Sequence, residues 1–184
     1  MRRHARSLVR LIRRTTPNPL IGCEIGVWRG HTSEGLLLSF PLMKFIGVDP
    51  WDSSIPNDTM PKTQAELSAA EAEYLRRTEF AADRRITMKM KSVEAAGKVS
   101  DESLDWIFID GIHDRENLER DIPAWWPKVK SGGLFSGHDY GGRGDRIGLF
   151  CVKPVVDEFA VRFGLTVNVA PGDVWWWIKS GGTA

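Results

Sequence analysis

Between Leu104 and Tyr140 the chain reads as an apolar run (Leu104 to Ile109) that stops at Asp110, a helical stretch, and a second apolar run (Leu134 to Ser136) that stops at His138 and Asp139. A strand, a helix and a strand in that order form a parallel pair, because a crossover long enough to hold a helix returns the chain to the edge it started from. Both strands then end at the same edge of one sheet. Ligands of open α/β sheets bind in the crevice at that carboxyl end, so Asp110, His113, His138 and Asp139 are expected to form a catalytic corner.

The rest of the chain repeats the pattern. Leu20 to Ile25 reads as a short buried strand, residues 26 to 30 as a glycine-bearing turn, and Thr32 or Ser33 as the cap of a helix carrying Leu36, Leu37, Leu38 and Phe40. Lys44 to Val48 is a second strand ending at Asp49, followed by a polar loop through Pro61, a helix from Thr63 to Ala82, a strand from Ile86 to Met90 and a short helix from Ser92 to Ala96. Asp114 is placed to cap a helix whose inner face is Leu118, Ile122, Trp125 and Trp126, with Pro123 tightening its last turn and Ser131, Gly132 and Gly133 turning into the fifth strand. Gly141 to Gly148 reads as a mobile loop and Cys151 to Phe163 as the last helix. Two final strands, Leu165 to Val169 and Val174 to Ile178, are joined by a turn at Pro171 and Gly172. The expectation is an α/β, Rossmann-like, seven-stranded and mostly parallel sheet, with helices on both faces and an antiparallel last strand. One domain spans 1–184, with a basic helix over 1–16 and the core over 20–179.

That basic helix carries Arg2, Arg3, Arg6, Arg10, Arg13 and Arg14 and no acid; against a whole-chain charge of +1 this leaves −5 for the remainder. Leu8, Leu11 and Ile12 fall on one face, so the helix can pack on the body or present its arginines to an anionic partner. No apolar run reaches the roughly 20 residues of a membrane span, and Arg10 interrupts what would be a signal-peptide core. With two cysteines, Cys23 and Cys151, a disulfide framework is not expected, and a cytoplasmic location fits.

A glycine turn after a strand serves several nucleotide binders. The dinucleotide pattern G-x-G-x-x-G seats a pyrophosphate against a helix, whereas here the glycines stand at 22, 26 and 30, with Glu24 directly before the loop. A carboxylate there repels a pyrophosphate and attracts a sulfonium or an amino group, which favours S-adenosylmethionine over NAD. Asp49, about 20 residues beyond the turn, suits two ribose hydroxyls.

Five segments in order, EIGVWRG (24–30), GVDPW (47–51), FIDGIHD (108–114), DIPAWWPKVKSGG (121–133) and GHDY (137–140), resemble the class I S-adenosylmethionine-dependent methyltransferases. More narrowly, residues 20 to 163 are similar to the bacterial group called methyltransferase family 24, itself similar to the metal-dependent macrolide and sugar O-methyltransferases. The resemblance implies that Glu24, Gly26 and Gly30 shape the methionine end of a cofactor pocket, that Asp49 binds ribose, that Ser92 lies at the adenine edge, and that Asp110 and Asp139 are metal carboxylates. The branch offers another carboxylate or amide beside the second aspartate; here His138 precedes it and Tyr140 follows it. Trp28 and Trp51 each follow a cofactor loop and are expected at the pocket wall.

Methyl transfer to an alcohol needs alignment and removal of a proton from a weakly acidic hydroxyl. His113 is the expected base, since imidazole titrates near working pH. Asp110 and Asp139 are expected to hold Mg²⁺ or another divalent ion, with His138 as a third ligand of a kind that suits Zn, Mn or Fe better than Mg. The expected partner is a small hydroxylated molecule such as a sugar or natural product. Nucleic acid is not expected, and a homodimer is possible. Two other readings stay open from the sequence: a metal-dependent hydrolase, which has no use for the 24–30 loop and Asp49, and a non-catalytic module whose arginine-rich start docks on an anionic partner.

Overall fold

The computed structural model describes residues 1–16, 18–55 and 61–181. In chain order the elements are α1 (Arg3–Thr15), β1 (Ile21–Ile25), α2 (His31–Ser39), β2 (Lys44–Val48), α3 (Gln64–Arg77), β3 (Arg85–Met88), α4 (Ser92–Ala96), β4 (Leu104–Ile109) and α5 (Arg115–Trp125). Then follow β5 (Val129–Gly137), α6 (Arg143–Arg146), α7 (Val152–Phe163), β6 (Asn168–Ala170) and β7 (Val174–Ile178). The strands form one sheet in the order β3-β2-β1-β4-β5-β7-β6. The first five run parallel, while β7 is antiparallel to both β5 and β6. This is the expected Rossmann-like sheet.

The central strand β4 is buried at every position, as a parallel strand covered on both faces must be. Trp106 and Phe108 face a core built with Leu8, Leu11 and Ile12 of α1, Leu36 and Leu37 of α2 and Tyr74 of α3. Ile107 and Ile109 face the other core, with Leu118, Ile122 and Trp125 of α5 and Val152, Val156 and Phe159 of α7. Each fully buried aliphatic side chain of α1 contributes roughly 1.5–3 kcal/mol, which accounts for the docking of a helix whose five arginines all stay exposed. Among the described residues no helix is long and apolar enough to cross a membrane, and both cysteine thiols are free.

Several boundaries differ from the sequence expectation. The helix expected over 63–82 ends at Arg77 and continues as a short 3-10 turn at Glu79–Ala81, because the Thr78 hydroxyl bonds back to the Tyr74 carbonyl. Its start carries a capping box between Thr63 and Glu66. Neither Thr32 nor Ser33 caps α2; the cap position is Gly30 at φ 75°, with no side-chain cap. Ser131, Gly132 and Gly133 lie inside β5 as a bulge, where Leu104 pairs with Val129 but Trp106 with Leu134. The sixth strand begins only at Asn168. Gly141 to Gly148, expected as a loop, contains the short helix α6 and is held by Asp145, whose carboxylate accepts the N–H groups of Gly141, Val152 and Lys153 at 2.8 Å each. Pro17 and residues 56–60 of the polar loop lie outside the described residues.

Close packing sets a measurable constraint at the end of β5. A Cβ on Gly137 would stand 2.3 Å from the ring of Trp175, its buried partner across the β5–β7 ladder. Gly137→Ala is therefore expected to destabilise the fold by about 1–3 kcal/mol, read as a lower urea midpoint with an unchanged m-value.

Candidate functional site

β1, β2, β4 and β5 all end at one edge of the sheet, and the segments after them line a cleft of about 1040 Å³. The cleft wall includes Glu24, Gly26, Trp28, Asp49, Trp51, Ser92, Asp110, His113, His138 and Asp139, so the expected site residues converge with one exception. Gly30 does not line the wall; it turns the chain into α2 against the Tyr74 ring, 2.9 Å from where its Cβ would be.

At the β1 end, Gly26 has φ 84° and a Cβ there would lie 2.2 Å from the Asp110 carbonyl oxygen. Only glycine lets the two strand ends cross this closely. Glu24 is 1% exposed and accepts a hydrogen bond from the Ser33 hydroxyl at 2.5 Å. Burial lifts its pKa to about 8; the Ser33 bond opposes this, and Asp110 and Asp49 add to it. An acid held neutral by burial and facing a cleft is suited to a cationic group, whose arrival favours the ionised form. The cradle at Gly26 and the buried acid beside it both fit the methionine end of S-adenosylmethionine.

Asp49, at the end of β2, accepts the Trp28 N–H at 2.9 Å and the Trp51 N–H at 3.0 Å. Burial raises its pKa to about 6 against the pull of those two bonds. Both tryptophans sit at positive φ, 49° and 43°, a conformation that costs a bulky residue and is kept here by the shared carboxylate. Trp51 is a pin: its ring is buried against Tyr74 and its Nε1 donates to the Trp28 carbonyl at 3.0 Å. Trp28 is half-buried, with Arg29 over its ring. Ser92, at the first position of α4, accepts from Trp125 Nε1 at 2.8 Å, near Asp121, a buried acid of α5 whose pKa burial raises to about 6 while Ser92 pulls it down. Its hydroxyl is thus held within the protein.

The β4 and β5 ends carry the chemistry corner. His113 is 4% exposed, and neither ring nitrogen has a hydrogen-bond partner among the described residues. Nε2 lies 3.6 Å from Asp110 and Nδ1 3.7 Å from Asp139. The Cys151 N–H holds the His113 carbonyl at 2.9 Å, and Phe150 lies against the imidazole, seated where a side chain on Gly144 would collide with it. One ligand atom each from Asp110, His113 and Asp139 lies within 4.8 Å of the others. His138 instead directs Nδ1 at both carboxylates, 3.1 Å from Asp110 and 3.4 Å from Asp139. Burial disfavours its charged form, but the hydrogen bonds and charges of the two aspartates outweigh this and lift its pKa to about 10. Burial pushes Asp139 up, and the pull of His138 then holds it below the usual carboxylate range.

Among the cleft residues not singled out in the sequence are Asp121 and His4. Asp121 gives no signal beyond its place one turn before Trp125. His4 had one: with Leu8 and Leu11 it continues the i, i+4, i+7 stripe that packs α1 on the body. Its ring lies 4.3 Å from that of His138.

A family profile described as a methyltransferase domain matches residues 23–140. No curated protein matches the sequence. Among solved structures, a candidate caffeoyl-CoA O-methyltransferase from Staphylococcus aureus superposes with a TM-score of 0.69 at 18% identity, over 96% of this chain and 83% of that one. A candidate O-methyltransferase from Klebsiella pneumoniae gives 0.66 at 16%, over 96% and 80%. The spermidine synthase from Thermotoga maritima gives 0.63 at 20%, over 94% and 57%. At these identities the structures share the fold, and the family rests on the profile match across the segment that holds every strand-end residue from Glu24 to Asp139. The chain belongs to the methyltransferase domain family and is an S-adenosylmethionine-dependent methyltransferase.

Proposed function

We propose that the protein transfers the cofactor's methyl group to a hydroxyl oxygen of a small molecule such as a sugar or natural product. The observation that carries this reading is His113, an imidazole buried between two carboxylates with both nitrogens unpartnered, on the sheet edge that also carries Glu24 and Asp49. Two of the superposed structures are candidate O-methyltransferases, which supports an oxygen acceptor. In this reading Glu24 faces the methionine ammonium, Asp49 the ribose hydroxyls, and Ser92 and Trp28 the remaining cofactor wall. When bound, S-adenosylmethionine would supply the methyl group and leave as S-adenosylhomocysteine, and His113 would take the proton of the acceptor hydroxyl. Asp110 and Asp139 flank the imidazole and stabilise the charge it gains.

The same corner fits a divalent ion. Two carboxylates and a buried, unpartnered imidazole form a donor set that suits Mn, Fe or Zn more than Mg. Asp110, Asp139 and either His113 or His138 would hold it, and when bound it would lower the pKa of the acceptor hydroxyl.

Calorimetry with S-adenosylmethionine tests the cofactor assignment, and no heat at millimolar concentration would sink it. A panel of hydroxylated acceptors, scored by S-adenosylhomocysteine formation, tests the reaction. Asp139→Ala and chelator are each expected to lower turnover about 10²-fold; unchanged turnover under both removes the metal from the mechanism.

A further inference from the structure

His4 is the imidazole at the chemistry end of the cleft that lies outside the family match, which begins at residue 23. It belongs to the arginine-rich helix α1, and the first turn of that helix is built into the site from three sides. Ser7 donates its hydroxyl to the Pro171 carbonyl at 2.5 Å. Gly172, at φ 87°, admits the helix so closely that a Cβ there would stand 2.8 Å from the His4 backbone nitrogen. His4 Nε2 hydrogen-bonds the Thr32 hydroxyl at 3.0 Å in the first turn of α2. The ring so anchored stacks on Phe108 at 6.3 Å and closes on His138 at 4.3 Å between centroids, tilted 56°. Phe108 bounds His138 at 6.2 Å.

His138 is thus confined by two flat rings while its Nδ1 points at Asp110 and Asp139. Side chains sit in discrete rotamer wells, and removal of the His4 ring opens a space of imidazole size beside the His138 ring. We propose that His4 is a positioning residue: it backs the His138 ring and holds Nδ1 on Asp110 and Asp139, which makes the N-terminal helix part of the chemistry corner. Its consequence for turnover rests on the methyl-transfer reading above; its consequence for His138 does not.

The test is a ¹⁵N–¹H correlation of the imidazole groups in the full chain. Wild type is expected to show a slowly exchanging His138 Nδ1–H. In His4→Ala that signal should disappear or exchange with water at least about tenfold faster, whereas His4→Phe, which keeps a flat ring, should retain it. Circular dichroism reports whether α1 stays docked. Should His4→Ala not fold, Thr32→Val keeps the ring volume, removes its anchor and gives the same reading. An unchanged His138 signal in His4→Ala, or in Thr32→Val where His4→Ala does not fold, overturns the inference. In assays with an accepted substrate, kcat should fall about tenfold in His4→Ala while KM for S-adenosylmethionine stays within twofold; an unchanged kcat overturns the functional half. Calorimetry with S-adenosylhomocysteine separates the two failures. A chain that binds none of it overturns the methyl-transfer reading, whereas a chain that binds it with His138 unmoved in His4→Ala overturns this inference alone.

Discussion

His113→Leu is expected to leave the cofactor-free protein as stable as wild type, or more stable by about 1 kcal/mol, while methyl transfer falls by about 10²–10⁴. The two effects have one cause. The His113 ring is buried, with Phe150 against it, and neither nitrogen finds a hydrogen-bond partner among the described residues. A buried polar group left unpaired costs roughly 1–3 kcal/mol, so an apolar side chain of similar volume removes a cost as it removes a function. Purely structural histidines behave the other way: their substitution breaks a bond and destabilises the fold. Urea denaturation and S-adenosylhomocysteine formation on the same variant decide between them. A stability loss of 2 kcal/mol or more, with turnover retained, would make His113 a packing residue and return the base to an unidentified group.

The corner was legible because a strand-helix-strand pattern settles where strand ends fall. Asp110 and Asp139 needed no long-range knowledge, since each follows an apolar run and parallel strands share an edge. Features set by distant partners were not legible. Ser131 to Gly133 carry the local chemistry of a turn, yet Lys179 pairs with both Gly132 and Gly133 across the sheet and draws them into β5. Ser33 has the composition of a helix cap, and its hydroxyl is taken instead by Glu24, nine residues earlier. Gly141 to Gly148 has a loop's composition, and one carboxylate, Asp145, gathers three backbone donors and holds it. His4 was hidden in a stretch where arginines dominate, and its place in the cleft depends on the β6–β7 turn more than 160 residues away. Local pattern carries the elements and their edge; the side chains that meet across that edge are decided by pairings the pattern does not contain.

Glu24 should show the opposite balance between stability and function to an ordinary buried acid pair. Its pKa stands near 8 in the folded chain, against about 4.3 in an unfolded one. Below the unfolded value both states keep the proton and the fold bears no penalty. As pH rises from there to 8 the unfolded chain gives up its proton and the folded chain does not, so stability is lost across that window, by about 5 kcal/mol in all. Glu24→Gln keeps an acceptor for the Ser33 hydroxyl and carries no proton to lose, so at pH 7.5 it should be more stable than wild type by about 4 kcal/mol, with nearly equal stability near pH 4. Asp49, Asp121 and His138 also titrate differently on folding, but they do so in both proteins, and the difference between the two urea curves isolates Glu24. Cofactor binding reverses the sign. An ammonium beside Glu24 favours the ionised form, so binding to wild type at pH 7 should release close to one proton, seen as a calorimetric heat that changes with the ionisation enthalpy of the buffer. Glu24→Gln should release none and bind S-adenosylmethionine about 10- to 100-fold more weakly, the worth of a hydrogen bond to a charged group. Equal proton release by the two proteins would place the ammonium elsewhere in the cleft, and Glu24 would then be a buried acid with no part in cofactor binding.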